Sequence, residues 1–415
     1  MKNVYDIRHE KNLIYILPQA ADTVGQAPNS RKNMKTAVIL YLYYLDTLPV
    51  YWPYIDRIPE SIDVYIVSSR EDVLEAVRQR ITMSGRQMKY MLKENRGRDV
   101  SALLVASADI VKEYKYICFL HDKKARSEAV KEDTDLWIEN LWGNLLGGPG
   151  CIDSILQLFE GNPRLGILAP PEPIGDHFCT WYGYGWHKSF EITRELAEKL
   201  ELSADLAIEK PPITIGTALW FKREALQKLF DFGWEYTDFD DSGLNGQHYV
   251  SYGVERIFPY VAQDAGFETG TVMTISYAER QTNYIQYSTG ILFSEAKHFF
   301  PVPCVHDLER YKKNRESMLR FVQNNRDIYL YGAGEMGRFC FFLLSEQNVL
   351  PKGYLVSGTE IDTKVCGLPV YSIQDMDSLS GCAVIITVLE ERIQKEIVEN
   401  LREKGIYHYH IFWNS

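Results

Sequence analysis

Residues 114–125 read YKYICFLHDKKA, and this stretch decides the fold. An apolar run from Tyr116 to Leu120 stops abruptly at His121, Asp122, Lys123 and Lys124. A short run without polar alternation marks a strand buried on both faces, as in a parallel sheet covered by helices. In open sheets of that kind, ligands bind beyond the carboxyl ends of the strands. The four polar residues are therefore either a solvated loop or the rim of a binding crevice.

The segments upstream repeat the pattern. TAVILYLYYL (36–45) and SIDVYIVSS (61–69) read as strands, and EDVLEAVRQRI (71–81) spaces Val73, Leu74, Val77 and Ile81 as one helix face. QMKYMLKE (87–94) is a short strand running into NRGRD, and DVSALLVASADIVKEY (99–114) is a helix headed by Asp99. Alternating strand and helix predicts an α/β fold with a mostly parallel sheet and flanking helices. Downstream, TDLWIENLWGNLLGG (134–148) reads as a helix and RLGILAPP (164–171) as a strand. ITIGTALWFKREALQKLF (213–230) reads as a strand entering a helix. The expected organisation is an N-terminal extension at 1–35, a first domain at 36–300, a linker at 301–325 and a small Rossmann-like domain at 326–415.

The formal net charge of −11 argues against non-specific nucleic-acid binding, which needs a positive field. The seven cysteines are dispersed, without metal-ligand spacing, as suits a reducing cytoplasm. The N-terminal residues lack a signal-peptide core, and the most apolar early run, Ala37 to Trp52, is broken by Asp46 and Pro49. Membrane association through partners and a homodimer both remain open.

Chemistry concentrates at a few sites. In ENRGRD, Asn95, Arg96, Gly97, Arg98 and Asp99 lie between a strand and a helix, where glycine permits close backbone approach and arginines with a helix N-terminus favour an anion. A charged loop with Asp99 as N-cap would read the same way. Asp122 offers a hard oxygen for Mg²⁺ or Mn²⁺, whereas Lys123 and Lys124 would neutralise a diphosphate without metal. The aromatic cluster of Trp181, Tyr182, Tyr184, Trp186 and His187 could stack on sugar rings or pack a core.

ENRGRDVSALL, YICFLHDKKA, LGILAPP, GTALWFKREAL and GVERIFPYVAQDAGF, in this order over roughly residues 36–290, resemble the rhamnan synthesis protein F family. The resemblance implies a GT-A-like glycosyltransferase of bacterial surface-polysaccharide synthesis. It implies a nucleoside-diphosphate donor such as dTDP-rhamnose and a saccharide acceptor, free or lipid-linked. HDKK stands where a metal-binding DxD would fall in many GT-A enzymes, and relatives more often carry His-Thr-Lys-Lys, so Asp122 is a departure. The resemblance makes Glu255 the candidate base for an inverting transfer, and sets Gly216, Thr217 and Trp220 beside the donor sugar. Relatives carry a histidine shortly before this glutamate; here Tyr252 stands there and His248 lies one turn back. The acidic run Asp238, Asp240 and Asp241 is a second candidate base or a solvated loop.

In the C-terminal domain, YLYGAGEMGRF presents Gly332, Gly334 and Gly337 between a strand and a helix, a phosphate-cradle fingerprint. The strand that follows, KGYLVSG, ends without the acidic residue an NAD ribose requires. A nucleotide site and a packing or dimerisation role both fit. Two alternatives to a transferase follow: a non-catalytic sugar-nucleotide-binding assembly protein, and an NAD-dependent sugar-modifying enzyme.

Overall fold

The structure, a computed structural model, describes residues 13–18, 35–84, 87–148, 150–173, 186, 189–204, 206–208, 214–239, 250–358, 364–375 and 381–413. The chain divides into two compact units, Met1–Tyr284 and Ile285–Ser415.

Among the described residues the first unit is built on eight strands: β1 (Ile14–Leu17), β2 (Thr36–Tyr41), β3 (Asp63–Ser68), β4 (Lys89–Leu92), β5 (Tyr116–His121), β6 (Leu165–Ala169), β7 (Leu219–Lys222) and β8 (Glu268–Thr274). Their order across the sheet is β1-β8-β6-β7-β5-β2-β3-β4. All pairings are parallel except those of β7, which runs antiparallel to both β5 and β6. The helix Glu71–Ser84 carries the chain from β3 to β4, and a helical stretch starting with Arg98–Ser101 carries it from β4 to β5. The α/β class with a mostly parallel sheet and flanking helices, expected from the sequence, is the fold adopted.

The uninterrupted apolar character of β2 and β5 has a direct cause: both are central and buried on two faces. Val38, Leu40, Cys118 and Leu120 enter one core with Trp142 and Trp220. Ala37, Ile39, Ile117 and Phe119 enter a second, on the other side of the sheet, with Phe221 and Tyr260. Two strands went unread in the sequence. Ile14–Leu17, within the N-terminal extension, pairs in parallel with β8, and Glu268–Thr274, just beyond GVERIFPYVAQDAGF, is β8 itself.

Among the described residues the second unit has six strands: β9 (Ile328–Tyr331), β10 (Gly353–Val356), β11 (Lys364–Val365), β12 (Leu368–Ser372), β13 (Ala383–Ile386) and β14 (Tyr409–Ile411). Their order is β11-β12-β10-β9-β13-β14, parallel apart from β11. The helices Glu335–Ser345 and Glu391–Glu403 each contribute apolar residues to the cores of this sheet. Among the described residues of the chain, no helix is long and apolar enough to cross a membrane.

Candidate active site

Parallel β2, β3, β4 and β5 present their carboxyl ends at one edge of the sheet. Because β7 runs the other way, with Leu219 opposite Phe119, the residues just before it reach the same edge. A cleft of about 910 Å³ opens there. Its volume falls within the roughly 300–1,000 Å³ usual for small-molecule sites.

The loop after β4 forms one wall. Gly97 and Arg98 both have positive φ, +70° and +50°. A side chain at Gly97 would also press on Phe239 and Ser101. Arg96 Nε donates to the Phe239 carbonyl at 2.6 Å, and Arg98 is exposed on the rim. Lys93 is buried beside this loop, its Nζ donating to the carbonyls of Glu94 at 2.7 Å and Arg96 at 3.0 Å. Desolvation lowers its pKa to about 8. Burial opposes charge on Asp99, but His121, Lys123 and a hydrogen bond with Thr217 outweigh it, and the Asp99 pKa is lowered.

The end of β5 forms the floor. His121 Nε2 lies 2.9 Å from the Gly216 carbonyl oxygen and 3.8 Å from the Asp99 carboxylate. Asp122 is 4% exposed, and its Oδ2 accepts from the backbone N–H groups of Tyr43 at 2.8 Å and Tyr44 at 2.7 Å. Desolvation raises its pKa to about 7 against those two donors. The Lys123 backbone is pinned by Tyr51, whose hydroxyl accepts from the Lys123 N–H at 2.6 Å. Its Nζ sits 3.8 Å from the Trp137 ring centroid, a cation–π contact of about 0.5–2 kcal/mol. Desolvation lowers the Lys123 pKa, opposed by Asp99, Glu255 and Asp122. Lys124 pairs with Asp46.

Glu255 comes from the helix Val250–Asp264. Its Oε1 accepts from the Gly216 N–H at 2.5 Å, and its Oε2 lies 3.5 Å from Arg256. The helix thus brings this carboxylate to the same cleft as the loop after β4.

Asn95, Arg96, Gly97, Arg98, Asp99, His121, Asp122, Lys123, Lys124, Gly216, Thr217 and Glu255 thus all line one cleft. Two tryptophans do not. Trp220 is fully buried, its Nε1 donating to the Leu145 carbonyl at 3.1 Å, because position 220 of β7 points into the Trp142 core. Trp186 is buried too, stacked on Tyr260 and edge-on to Phe190, so it packs a core rather than presenting a face to a sugar. Asp238 accepts from the Glu235 N–H in a local cap. Trp181, Tyr182, Tyr184, His187, Asp240, Asp241 and His248 lie outside the described residues.

The cleft also recruits residues the sequence reading missed: Tyr43, Tyr44, Arg126, Trp137 and, as a lining group rather than a missing histidine, Tyr252. Tyr43 and Tyr44 lie just past the end of β2 at Tyr41, inside the stretch 36–45 read as strand, and Arg126 stands two residues beyond Lys124; an earlier strand end could have flagged the tyrosines. Trp137 carries no such mark; the fold alone brings it to Lys123.

A divalent metal fits this donor set poorly. Asp122 Oδ2 is committed to two backbone donors, and Asp99 faces His121 and Lys123. Among the described residues, no group of three His, Cys, Asp or Glu side chains could hold a metal ion.

In the second unit, Gly332 (φ +110°) follows β9 and Gly334 precedes the helix Glu335–Ser345. A Cβ on Gly337 would lie 1.9 Å from the Gly332 carbonyl oxygen, and one on Gly332 would lie 2.8 Å from Thr387 Oγ1. Close packing therefore accounts for both glycines: helix against strand end at Gly337, and the chain just after β13 against the turn at Gly332. Beyond β10, Ser357 stands near the place of the ribose-binding acid, hydrogen-bonded to the Tyr331 hydroxyl at 2.8 Å.

A family model described as rhamnan synthesis protein F matches residues 1–267. No curated protein matches the chain. Among solved structures, the crystal structure of S. aureus TarS 1–349 is similar at 11% identity and TM-score 0.31, over 58% of this chain and 60% of that one. The chain thus spans less than two thirds of that structure. UDP-GlcNAc 2-epimerase from Neisseria meningitidis bound to UDP-GlcNAc is similar at 10% identity and TM-score 0.17, over 91% of this chain and 72% of that one.

Proposed function

The chain belongs to the rhamnan synthesis protein F family, and from that premise we propose that it is a glycosyltransferase of surface-polysaccharide synthesis. It moves a sugar from a nucleoside-diphosphate donor of the dTDP-rhamnose kind to a saccharide acceptor, with inversion at the transferred carbon. One observation carries this reading: Arg98, Lys123 and Glu255, which come from three separate parts of the chain, line a single cleft.

Cationic side chains hold the diphosphate. Arg98 and Arg126 reach it from the two loops, and Lys123 from the floor; charge-assisted bonds to phosphate oxygens are the strong class. They neutralise charge on the leaving nucleotide without a metal ion. Glu255 takes the proton of the acceptor hydroxyl as the sugar–phosphate bond breaks, a role worth roughly 10²–10⁴-fold in rate. Its carboxylate has four lone-pair sites, so the hydrogen bond from Gly216 leaves capacity for the acceptor. The Tyr43, Tyr44 and Tyr252 rings supply apolar faces at the cleft wall.

The test is Glu255→Gln in the full chain. Transfer from dTDP-rhamnose is expected to fall at least 100-fold, while thermal stabilisation by dTDP stays at the wild-type level. Wild-type turnover in the variant would remove Glu255 from the reaction. Stabilisation of the wild type by no nucleotide would remove the donor site.

A further inference from the structure

Lys93 directly follows β4 and opens the loop whose later residues wall the cleft. The reaction proposed above gives it no task, yet it is 5% exposed. Its Nζ lies over two rings, 5.2 Å from the Tyr41 centroid and 5.6 Å from that of Tyr236. An ammonium has three N–H donors and no acceptor. Here they meet the Glu94 carbonyl at 2.7 Å, the Arg96 carbonyl at 3.0 Å and Ser69 Oγ at 3.3 Å, which leaves none for a ligand. With its pKa lowered to about 8, the group is charged at pH 7. The Arg96 carbonyl is held a second time, by the Ser101 hydroxyl, which also donates to the Arg98 carbonyl at 3.1 Å. The Gly97 carbonyl accepts from the Ser101 N–H at 3.0 Å. The carbonyls of Glu94, Arg96, Gly97 and Arg98 are thus all held by Lys93 or Ser101. Among them stand Gly97 at φ +70° and Arg98 at φ +50°. Left-handed backbone at a residue other than glycine persists only where its surroundings fix it.

We infer that Lys93 is a positioning residue for the donor: its ammonium clamps the carbonyls of its own loop, and by fixing the Arg96 carbonyl it holds the left-handed Gly97–Arg98 turn that presents Arg98 to the diphosphate. This rests on the reading of Arg98 as a diphosphate contact. It also predicts a particular pattern of damage. Losing the ammonium should free the loop and weaken donor binding, while Glu255, on a different element, keeps the chemical step at its rate. Lys93→Met is suited to show this. It keeps an unbranched apolar stem, and each carbonyl retains another donor: the Arg96 N–H at 2.8 Å on Glu94, and the Ser101 hydroxyl on Arg96.

Hydrogen exchange of the Ser101 amide tests this in the full chain without any ligand. Exchange at least tenfold faster than in the wild type is expected in Lys93→Met, with the amides of β2 as protected as before. Unchanged exchange at Ser101 overturns the inference. An equal quickening in β2 overturns it too, since Lys93 would then support the whole fold rather than the loop. If Lys93→Met does not fold, Lys93→Gln takes its place, because its amide keeps a polar group near the carbonyls but carries no charge and is one bond shorter. Titration calorimetry at pH 7 should show dTDP binding weakened at least tenfold in the variant. With dTDP-rhamnose as donor, KM should rise at least tenfold with kcat within threefold of wild type. Unchanged affinity, or a fall in kcat at unchanged KM, would overturn the inference. The two readings fail separately: no dTDP binding by the wild type removes the donor site, whereas the exchange comparison still decides whether Lys93 holds the loop.

Discussion

Two glycine turns in this chain follow a parallel strand and lead into a helix, yet they differ in everything around them. At the first, Gly97 and the non-glycine Arg98 both take left-handed backbone, and a 910 Å³ cleft lined by cations and carboxylates opens beside them. At the second, Gly332 takes positive φ, and two of the three fingerprint glycines are explained by what a side chain would strike: Thr387 at Gly332, and the Gly332 carbonyl at Gly337. Glycine spacing reports that backbone must come close to something. At Gly97 that something is Phe239 and Ser101, so it is the charge converging on the cleft and the left-handed Arg98, not the glycine, that set the first turn apart.

The largest effects should be on stability and should strike both turns. Gly337→Ala sets a methyl 1.9 Å from a backbone oxygen that cannot move aside. A cost of about 3 kcal/mol or more is expected, at the upper end of overpacking effects. Gly97→Ala adds a left-handed penalty of about 1–2 kcal/mol to crowding against Phe239 and Ser101. Urea unfolding of each variant checks both. Variants as stable as the wild type would mean that the two turns have room the structure denies them.

Binding should then separate the turns. Lys123→Met removes a half-buried cation that Asp99, Glu255 and Asp122 all favour. It keeps the stem against Trp137. Affinity for dTDP is expected to fall about 10–100-fold, the range of a lost charge-assisted hydrogen bond. Titration calorimetry on the folded variant measures it. An unchanged affinity would make Lys123 a structural cation and erase the contrast between the turns.

The contrast also explains what the sequence revealed and what it hid. β2, β3 and β5 were legible because burial on both faces leaves nearly continuous apolar runs. The polar residues capping those runs, from His121 to Lys124, were legible for the same reason. That double burial hides which face a side chain takes, so nothing in the local pattern opposed setting Trp220 beside the donor sugar, although it packs the Trp142 core. β8 was concealed by Gly270 near its start, since glycine is depleted in strands. Lys93 looked like an ordinary polar strand end. Its burial beneath the carbonyls of Glu94 and Arg96 depends on a loop that returns over it, which no local pattern encodes.

Asp122 sharpens the comparison through pH. Its folded-state pKa is raised by desolvation from 3.8 to about 7. Between those values the folded chain holds a proton that the unfolded chain has released. The group therefore stabilises the fold fully below pH 4, and that contribution is lost as pH rises through 7. At about 1.4 kcal/mol per pKa unit, the loss is at most about 4 kcal/mol. Asp122→Asn keeps an oxygen for the Tyr43 and Tyr44 N–H groups but cannot ionise. Comparing urea midpoints at pH 5 and pH 8, this variant should lose less stability on going to pH 8 than the wild type does. An equal loss in both would assign the pH dependence to other groups.

The smallest expected effect decides most about the second turn. Gly334 has φ −77°, which any residue adopts, and a side chain there would meet nothing within 4 Å. Gly334→Ala should leave stability within about 0.5 kcal/mol of wild type or raise it slightly, because alanine restricts the unfolded chain. If the fingerprint marks only the approach of helix to strand, thermal shifts of the variant with NAD and with dTDP will match those of the wild type. If a phosphate rests on this glycine, the methyl will occupy its place, and a nucleotide-dependent shift present in the wild type will vanish at unchanged stability. That second result would give the C-terminal turn a ligand after all, and would show that room above a glycine can mark a site where charge does not.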